Sequence, residues 1–306
     1  MPRPFRFGVS MALTGDRAHW VAKCCRAEHL GFDVISVPDH LGMPAPFPSL
    51  MLAASVTERI GIGTYVLNTG FHNPMLLTRD AFAVDEFSGG RLEIGLGAGY
   101  DAAEVERAGL PWLSPRQRVD RLTEFVDTLR AHGADESTSP RPIRPGGPRL
   151  VVAGSGDRVL RLAAERADVV AFSGVKPAPS GFSDSSVVGA VASPYSIAEA
   201  EVVDERVAYV RECAAGRTEE PELNIVLQSV VRTNDRKATA EELRGGSELT
   251  LNQLLEAPTL LFGTTEEMAE QLVTNRARFG ISYVTVIEPV MEVFAEVIGL
   301  LRAERL

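Results

Sequence analysis

Short apolar runs alternate along the chain with longer stretches whose apolar positions recur every three or four residues, a pattern of strands followed by amphipathic helices. Phe5 to Met11 reads as a first strand, and Asp16 to Leu30 as a helix that Asp16 caps and Gly31 closes. Asp33 to Val37 is a second strand, running into Pro38-Asp39-His40. Pro48 to Thr57 is a short helix, Ile60 to Leu67 a third strand, and Pro74 to Phe87 a helix with its proline in the first turn. Leu92 to Leu96 is strand four, and Pro115 to Ala131 the next helix. Leu150 to Ala153, a helix from Asp157 to Arg166, and a strand from Asp168 to Phe172 follow. The later chain reads as a helix from Ala198 to Ala215, strand seven at Leu223 to Gln228, and helical material from Thr239 to Ala257. A helix from Thr265 to Phe279, strand eight at Tyr283 to Ile287, and a helix from Pro289 to Arg302 complete the series.

Eight such alternations predict an α/β fold, a (β/α)8 TIM barrel forming a single domain over residues 1–306. A doubly wound open sheet would prefer about six strands and one early glycine fingerprint. Two stretches interrupt the pattern. His132 to Pro148 is polar and Pro/Gly-rich, a surface loop. Ser173 to Ser196 is long, small-residue-rich and aperiodic, and predicts an insertion or lid at approximately 173–198.

Composition narrows the function. A formal net charge of −10 and a pI near 5.1 argue against a nucleic-acid partner. No apolar run approaches the roughly 20 residues of a membrane span, and the first residues lack the apolar core of a secretory signal. Cys24, Cys25 and Cys213 form neither a disulfide framework nor a metal pattern, so a cytoplasmic location with reduced thiols is expected. Arginine greatly outnumbers lysine, which occurs only at 23, 176 and 237, as in a GC-rich bacterial genome.

In such a barrel the chemistry lies at the C-terminal strand ends. There the sequence offers Asp39-His40, then Asn68, then Gly97-Ala98-Gly99-Tyr100, then Ala153-Gly154-Ser155-Gly156. The last group leads directly into a helix, whose free N–H groups can hold a phosphate; tight strand-to-helix turns alone also account for such glycines. Gly95, Gly97 and Gly99, together with Ala153-Gly154, predict a flat slot on one wall for a planar tricyclic ring. An imidazole such as that of His40 can donate or accept a proton, or His40 is a hydrogen-bonded rim residue. His72 can reach the same mouth, although helix capping by Asn73 accounts for that segment. No spacing suggests a metal site.

DVISVPDH, IGIGTYVLNTGFHNPMLLTRDAFAVDEFSGGRLEIGLGAGY and RLVVAGSGDRVLRLAAERADVV together resemble the bacterial luciferase-like monooxygenase superfamily. Within it the chain is most similar to actinobacterial oxidoreductases that depend on the deazaflavin coenzyme F420. The resemblance implies the eight-stranded barrel, F420 or alternatively FMN as cofactor, hydride transfer with a small-molecule substrate, and a homodimer. It implies a non-prolyl cis peptide at Tyr65-Val66 behind the flavin, and His40 near the reactive carbon of the cofactor. Asp39 would orient His40 or bond the pyrimidine ring, or simply form the turn after Pro38. The apolar stretches Phe47 to Val56 and Ala81 to Phe87 are the candidate dimer faces, although packing against the barrel also explains them.

There are departures from the family pattern. Leu41-Gly42-Met43-Pro44 stands where sugar-phosphate-oxidising members keep a tryptophan, which argues against that substrate. No glutamate immediately follows the strand-four glycines; Tyr100, Asp101 and Glu104 are the local candidates. Arg158 and Arg161 are candidate cations for an acidic cofactor tail, and Met11, Asn68, Gln228 and Glu288 are candidate mouth residues. Three other functions compete: an FMN-dependent monooxygenase fed by NAD(P)H or a reductase, a flavin-binding barrel without turnover, and an aldolase or isomerase. The last would need a barrel lysine or paired carboxylates, and the three lysines fall outside the strand ends.

Overall fold

In the computed structural model, residues 3–11, 15–135, 137, 139–177, 195–244 and 248–304 are described. Strand one (Arg6–Ser10) pairs in parallel with strand two (Val34–Val37) and with strand eight (Ile281–Ile287). Strand three (Gly61–Thr64, resuming at Leu67–Asn68) pairs with strands two and four, the latter being Leu92–Gly97. Strand five (Arg149–Ala153), strand six (Val169–Phe172) and strand seven (Glu222–Val226) close the circle back to strand eight. The result is a closed parallel barrel of eight strands with helices outside it.

Both strand faces are covered, which is why the strands read as nearly continuous apolar runs. Outward residues such as Val9, Ile35, Ile62, Ile94, Val152 and Val286 pack under the helices with Phe82, Phe125 and Phe294. Inward residues build a smaller layer of Val34, Val151, Val169, Ala171 and Tyr283.

Below that layer the N-terminal end is sealed by charge. Glu222 accepts from Arg6 at 2.7 Å and from Arg149 at 2.6 Å, and Arg6 also pairs with Glu93. The Glu222 side chain is only 3% exposed, so these carboxylates are tolerated there because guanidinium groups meet them. This floor leaves the opposite end of the barrel for chemistry.

Several elements differ from the sequence reading. The helix after strand two begins at Pro46 and runs to Val56. Strand three is broken at Tyr65-Val66, whose peptide bond is cis. An additional helix, Ala102–Arg107, follows strand four, started by Asp101, which accepts from the backbone N–H groups of Ala103 and Glu104. The helical material after strand seven is two helices, Arg236–Arg244 and Leu251–Glu256, the second opened by a Thr250/Gln253 capping box. They connect a second parallel pair, Ser229–Arg232 with Leu260–Gly263, which has its own core of Leu249, Leu254, Leu260 and Phe262. Of the expected lid, residues 178–194 lie outside the described residues; on either side, Val175–Pro177 pairs antiparallel with Tyr195–Ile197. Among the described residues no helix is long and apolar enough to cross a membrane.

Candidate active site at the barrel mouth

Strand two delivers Asp39 and His40 to the C-terminal rim, where they take different partners. His40 Nδ1 lies 2.9 Å from Glu104 Oε2. A carboxylate only accepts, so Nδ1 carries the proton and Nε2 presents its lone pair. Tyr100 Oη lies 3.3 Å from that nitrogen, and the two rings meet edge to face at 5.7 Å. Glu104 is brought there by the short helix Ala102–Arg107 and is largely buried, its side chain 13% exposed. Arg107 ties the same helix to the rim by donating to the Leu41 carbonyl at 3.0 Å.

Asp39 does not orient His40. Its Oδ2 accepts from the Asn68 backbone N–H at 3.0 Å and from His72 Nε2 at 2.8 Å. Asp39 therefore clamps the end of strand two to the resumed strand three. His72, which helix capping by Asn73 left without a role, completes that clamp.

The glycines of strand four have a use the sequence reading did not give them. A Cβ on Gly95 would collide with the Thr64 carbonyl, one on Gly97 would come 2.8 Å from Val66 Cγ2, and one on Gly99 would strike the Asn68 side chain. Gly99 also has φ +74°, a left-handed conformation natural to glycine. The space these residues leave is thus taken by the bulge of strand three rather than left open as a slot. Ala98, between them, packs partly buried against the main core. Tyr65 turns inward, where its hydroxyl donates to Asn224 at 2.7 Å, and burial pushes its pKa above the usual phenol value.

At the end of strand five, a Cβ on Gly154 would meet Val159, so that glycine serves strand–helix packing. Ser155 and Gly156 are exposed, Gly156 has open space around it, and no side chain caps the helix Asp157–Arg166. Its first N–H groups have no side-chain cap, and the turn they open follows Ala153, which pairs in register with Gly97. Arg158 and Arg161 do not face this turn as free cations; Arg158 pairs with Asp120 at 2.6 Å and Arg161 donates to Tyr209 Oη. Of the other expected mouth residues, Met11 is fully buried, Asn68 caps Gly70, Gln228 donates to the Ser173 carbonyl, and Glu288 pairs with Lys23 at 2.5 Å. Among the described residues no cluster of His, Cys, Asp and Glu could hold a metal ion.

A profile of luciferase-like monooxygenases matches residues 4–283. The chain belongs to the luciferase-like monooxygenase family. Among family relatives, it is 29% identical over 159 residues to a 5,10-methylenetetrahydromethanopterin reductase of Archaeoglobus fulgidus, covering 49% of this chain and 48% of that protein. It is 34% identical over 123 residues to an F420-dependent glucose-6-phosphate dehydrogenase of Kribbella flavida, covering 37% of each chain. The chain thus spans half or less of the length of these two relatives. The structure of the coenzyme F420 dependent tetrahydromethanopterin reductase from Methanopyrus kandleri superposes with a TM-score of 0.69 at 16% identity, over 97% of this chain and 98% of that one. At that identity the likeness speaks to the family barrel alone.

Glu104 and His72 are the two residues of this candidate site whose partners sequence reasoning missed. The signal for Glu104 was present: Asp101 followed by AAE is a helix start, which turns Glu104 back over strand four towards His40. For His72 the signal was not local, because its partner lies 33 positions away.

Proposed function

We propose that the chain is an F420-dependent oxidoreductase that moves a hydride between the deazaflavin and a small organic substrate. The reading is supported by the chain's similarity to a glucose-6-phosphate dehydrogenase that depends on F420. The observation that carries it is the imidazole of His40, held at the mouth by Glu104 with Nε2 turned towards the exposed Tyr100.

The fit to the cofactor rests on the uncapped helix start at Gly156. Ser155, Gly156 and the first N–H groups of Asp157–Arg166 form a seat suited to a phosphodiester. Ala153 and Gly154 lead into that seat; Gly97, Ala98, Gly99, Tyr65, Val66 and Asn68 would form the adjoining wall. Asp39 would hold that wall in place through Asn68 and His72. Bound F420 supplies two-electron chemistry without managing oxygen. The chain supplies the proton: His40 Nε2 accepts it from, or returns it to, the substrate oxygen, while Glu104 stabilises the imidazolium through Nδ1–H.

Replacing His40 with alanine should abolish turnover with F420 affinity nearly unchanged. Glu104→Gln should lower turnover about tenfold to a hundredfold, again with little effect on F420 affinity. Loss of F420 binding in both variants, with normal folding, would assign the pair to the cofactor and remove it from proton transfer.

The protein is further proposed to pair through the helix Pro74–Phe87. Leu76 and Phe87, about three turns apart on one face, are 53% and 73% exposed, and Met75 beside them is 52% exposed. By contrast, Leu50, Ala53 and Ala54 of the other apolar stretch are spent on the barrel. Sedimentation should give a dimer that Leu76→Glu with Phe87→Glu converts to monomer; a wild-type monomer at micromolar concentration would exclude it.

A further inference from the structure

At the end of the barrel opposite His40, beside the entries to strands seven and eight, lies a cavity of about 280 Å³. That is close to the lower end of ligand pockets, which run from roughly 300 to 1,000 Å³. The cavity opens between the last turns of two helices, Ala200–Ala214 and Thr265–Phe279. Val210 and Leu223, both buried, give it an apolar wall, and Arg3, Arg211 and Arg276 give it three guanidinium groups.

Among the described residues none of these three cations is paired with a carboxylate. Each carries five N–H groups and spends one on a main-chain carbonyl: Arg3 on that of Glu220, Arg211 on that of Phe279 at 3.0 Å, and Arg276 on that of Arg3 at 3.4 Å. The nearby floor is built differently, since Arg6 and Arg149 share the Glu222 carboxylate. Arg276 is half-buried, 4.0 Å over the Phe5 ring, and burial holds its pKa below the usual arginine value. A cation stripped of water without a counter-charge is costly, and an anion in the cavity would offset that cost. Opposing charge is limited. Glu220 is the one carboxylate among the described residues that line the cavity, and the two helix ends contribute about half a negative charge each. The cavity thus keeps roughly one positive charge, on a chain whose formal net charge is −10.

We propose that this cavity binds a small organic dianion, its phosphate or paired carboxylates held by Arg3, Arg211 and Arg276 and its apolar body against Val210 and Leu223. A planar guanidinium meets either anionic group through two parallel N–H bonds. The site is independent of the F420 reading, because it shares no residue with the mouth.

Calorimetry at constant ionic strength tests it with phenyl phosphate and phthalate, one probe for each anionic group, beside acetate. At least one dianion is expected to bind saturably, and the one that binds identifies the group; acetate should give no measurable heat. Arg211→Gln and, separately, Arg276→Gln should each weaken that binding about tenfold or more, whereas Glu220→Gln should tighten it about threefold. Arg211 and Glu220 are exposed, so their variants keep the fold and decide the matter even if Arg276→Gln does not fold. Heat that survives both arginine replacements, as from an anion at the Gly156 turn, overturns the proposal. So does acetate binding as tightly as the dianions, weaker binding in Glu220→Gln, or no binding of either dianion.

Discussion

Alanine at Gly95 is a demanding test of how the mouth is built. The added methyl would sit about 1 Å inside the ordinary carbon–oxygen contact of roughly 3.3 Å with the Thr64 carbonyl oxygen. It would also lie 3.0 Å from Val66 Cγ1 and 3.1 Å from the Thr64 carbonyl carbon. Neither neighbour is a flexible tip: one is backbone, and the other is the stiff side chain of the bulge. Strands three and four must therefore part, which strains the two bonds that join them there. Thr64 Oγ1 donates to the Gly95 carbonyl at 2.9 Å and accepts from the Gly95 N–H at 2.8 Å. Overpacking of this kind costs about 1–3 kcal/mol and each weakened buried bond about 1 kcal/mol. Gly95→Ala should thus lose about 3–5 kcal/mol, a large share of a typical domain's 5–15 kcal/mol or so. Urea unfolding followed by circular dichroism would measure it, with Gly156→Ala as the reference. Gly156 has φ −77° and nothing within 4 Å of its virtual Cβ, so its alanine variant should stay within about 0.5 kcal/mol of wild type. Equal midpoints for the two variants would refute the claim that strand four is bare because strand three leans on it.

Other perturbations test the floor and the outer shell. Glu222→Gln removes the carboxylate shared by Arg6 and Arg149 and should cost about 3–5 kcal/mol in the same unfolding assay, without shifting F420 affinity. Asp168 is partly desolvated, which raises its pKa, but the Leu150 N–H at 2.8 Å and Arg130 at 3.1 Å outweigh this and hold it below the usual carboxyl value. A depressed folded-state pKa stabilises above the ordinary carboxyl range, and the contribution fades as pH falls through the folded value. Asp168→Asn should therefore cost about 1–2 kcal/mol at pH 7 and progressively less as the pH falls below the ordinary carboxyl range; a pH-independent difference would mean that packing, not charge, is at stake.

Much of the barrel was legible because its strands are covered on both faces and its helices show one apolar stripe, so periodicity alone orders them. The elements missed were those set by contacts distant in sequence or by very short signals. The pair Ser229–Arg232 and Leu260–Gly263 forms because Val230 and Leu261 meet across two intervening helices, and no local pattern announces that partnership. Asp39 and His40 were found as rim residues, but adjacency in sequence suggested that they act together. Asp39 instead accepts from Asn68, where strand three resumes after its break, and from His72, and the short helix Ala102–Arg107 gives His40 to Glu104. Glycines read as an empty slot proved to be neighbours of a bulge, because a sequence shows which side chains are missing and not which backbone fills the room.

The central claim is that this mouth receives a deazaflavin beside His40. Titrating the purified protein with F420, and separately with FMN, tests it most directly. The account predicts saturable fluorescence quenching by F420 at one molecule per chain, lost when Gly156 is replaced by a bulky acidic residue, and no saturable binding of FMN. Tight FMN binding with no response to F420 would contradict it and return the chain to the monooxygenase reading of the same barrel.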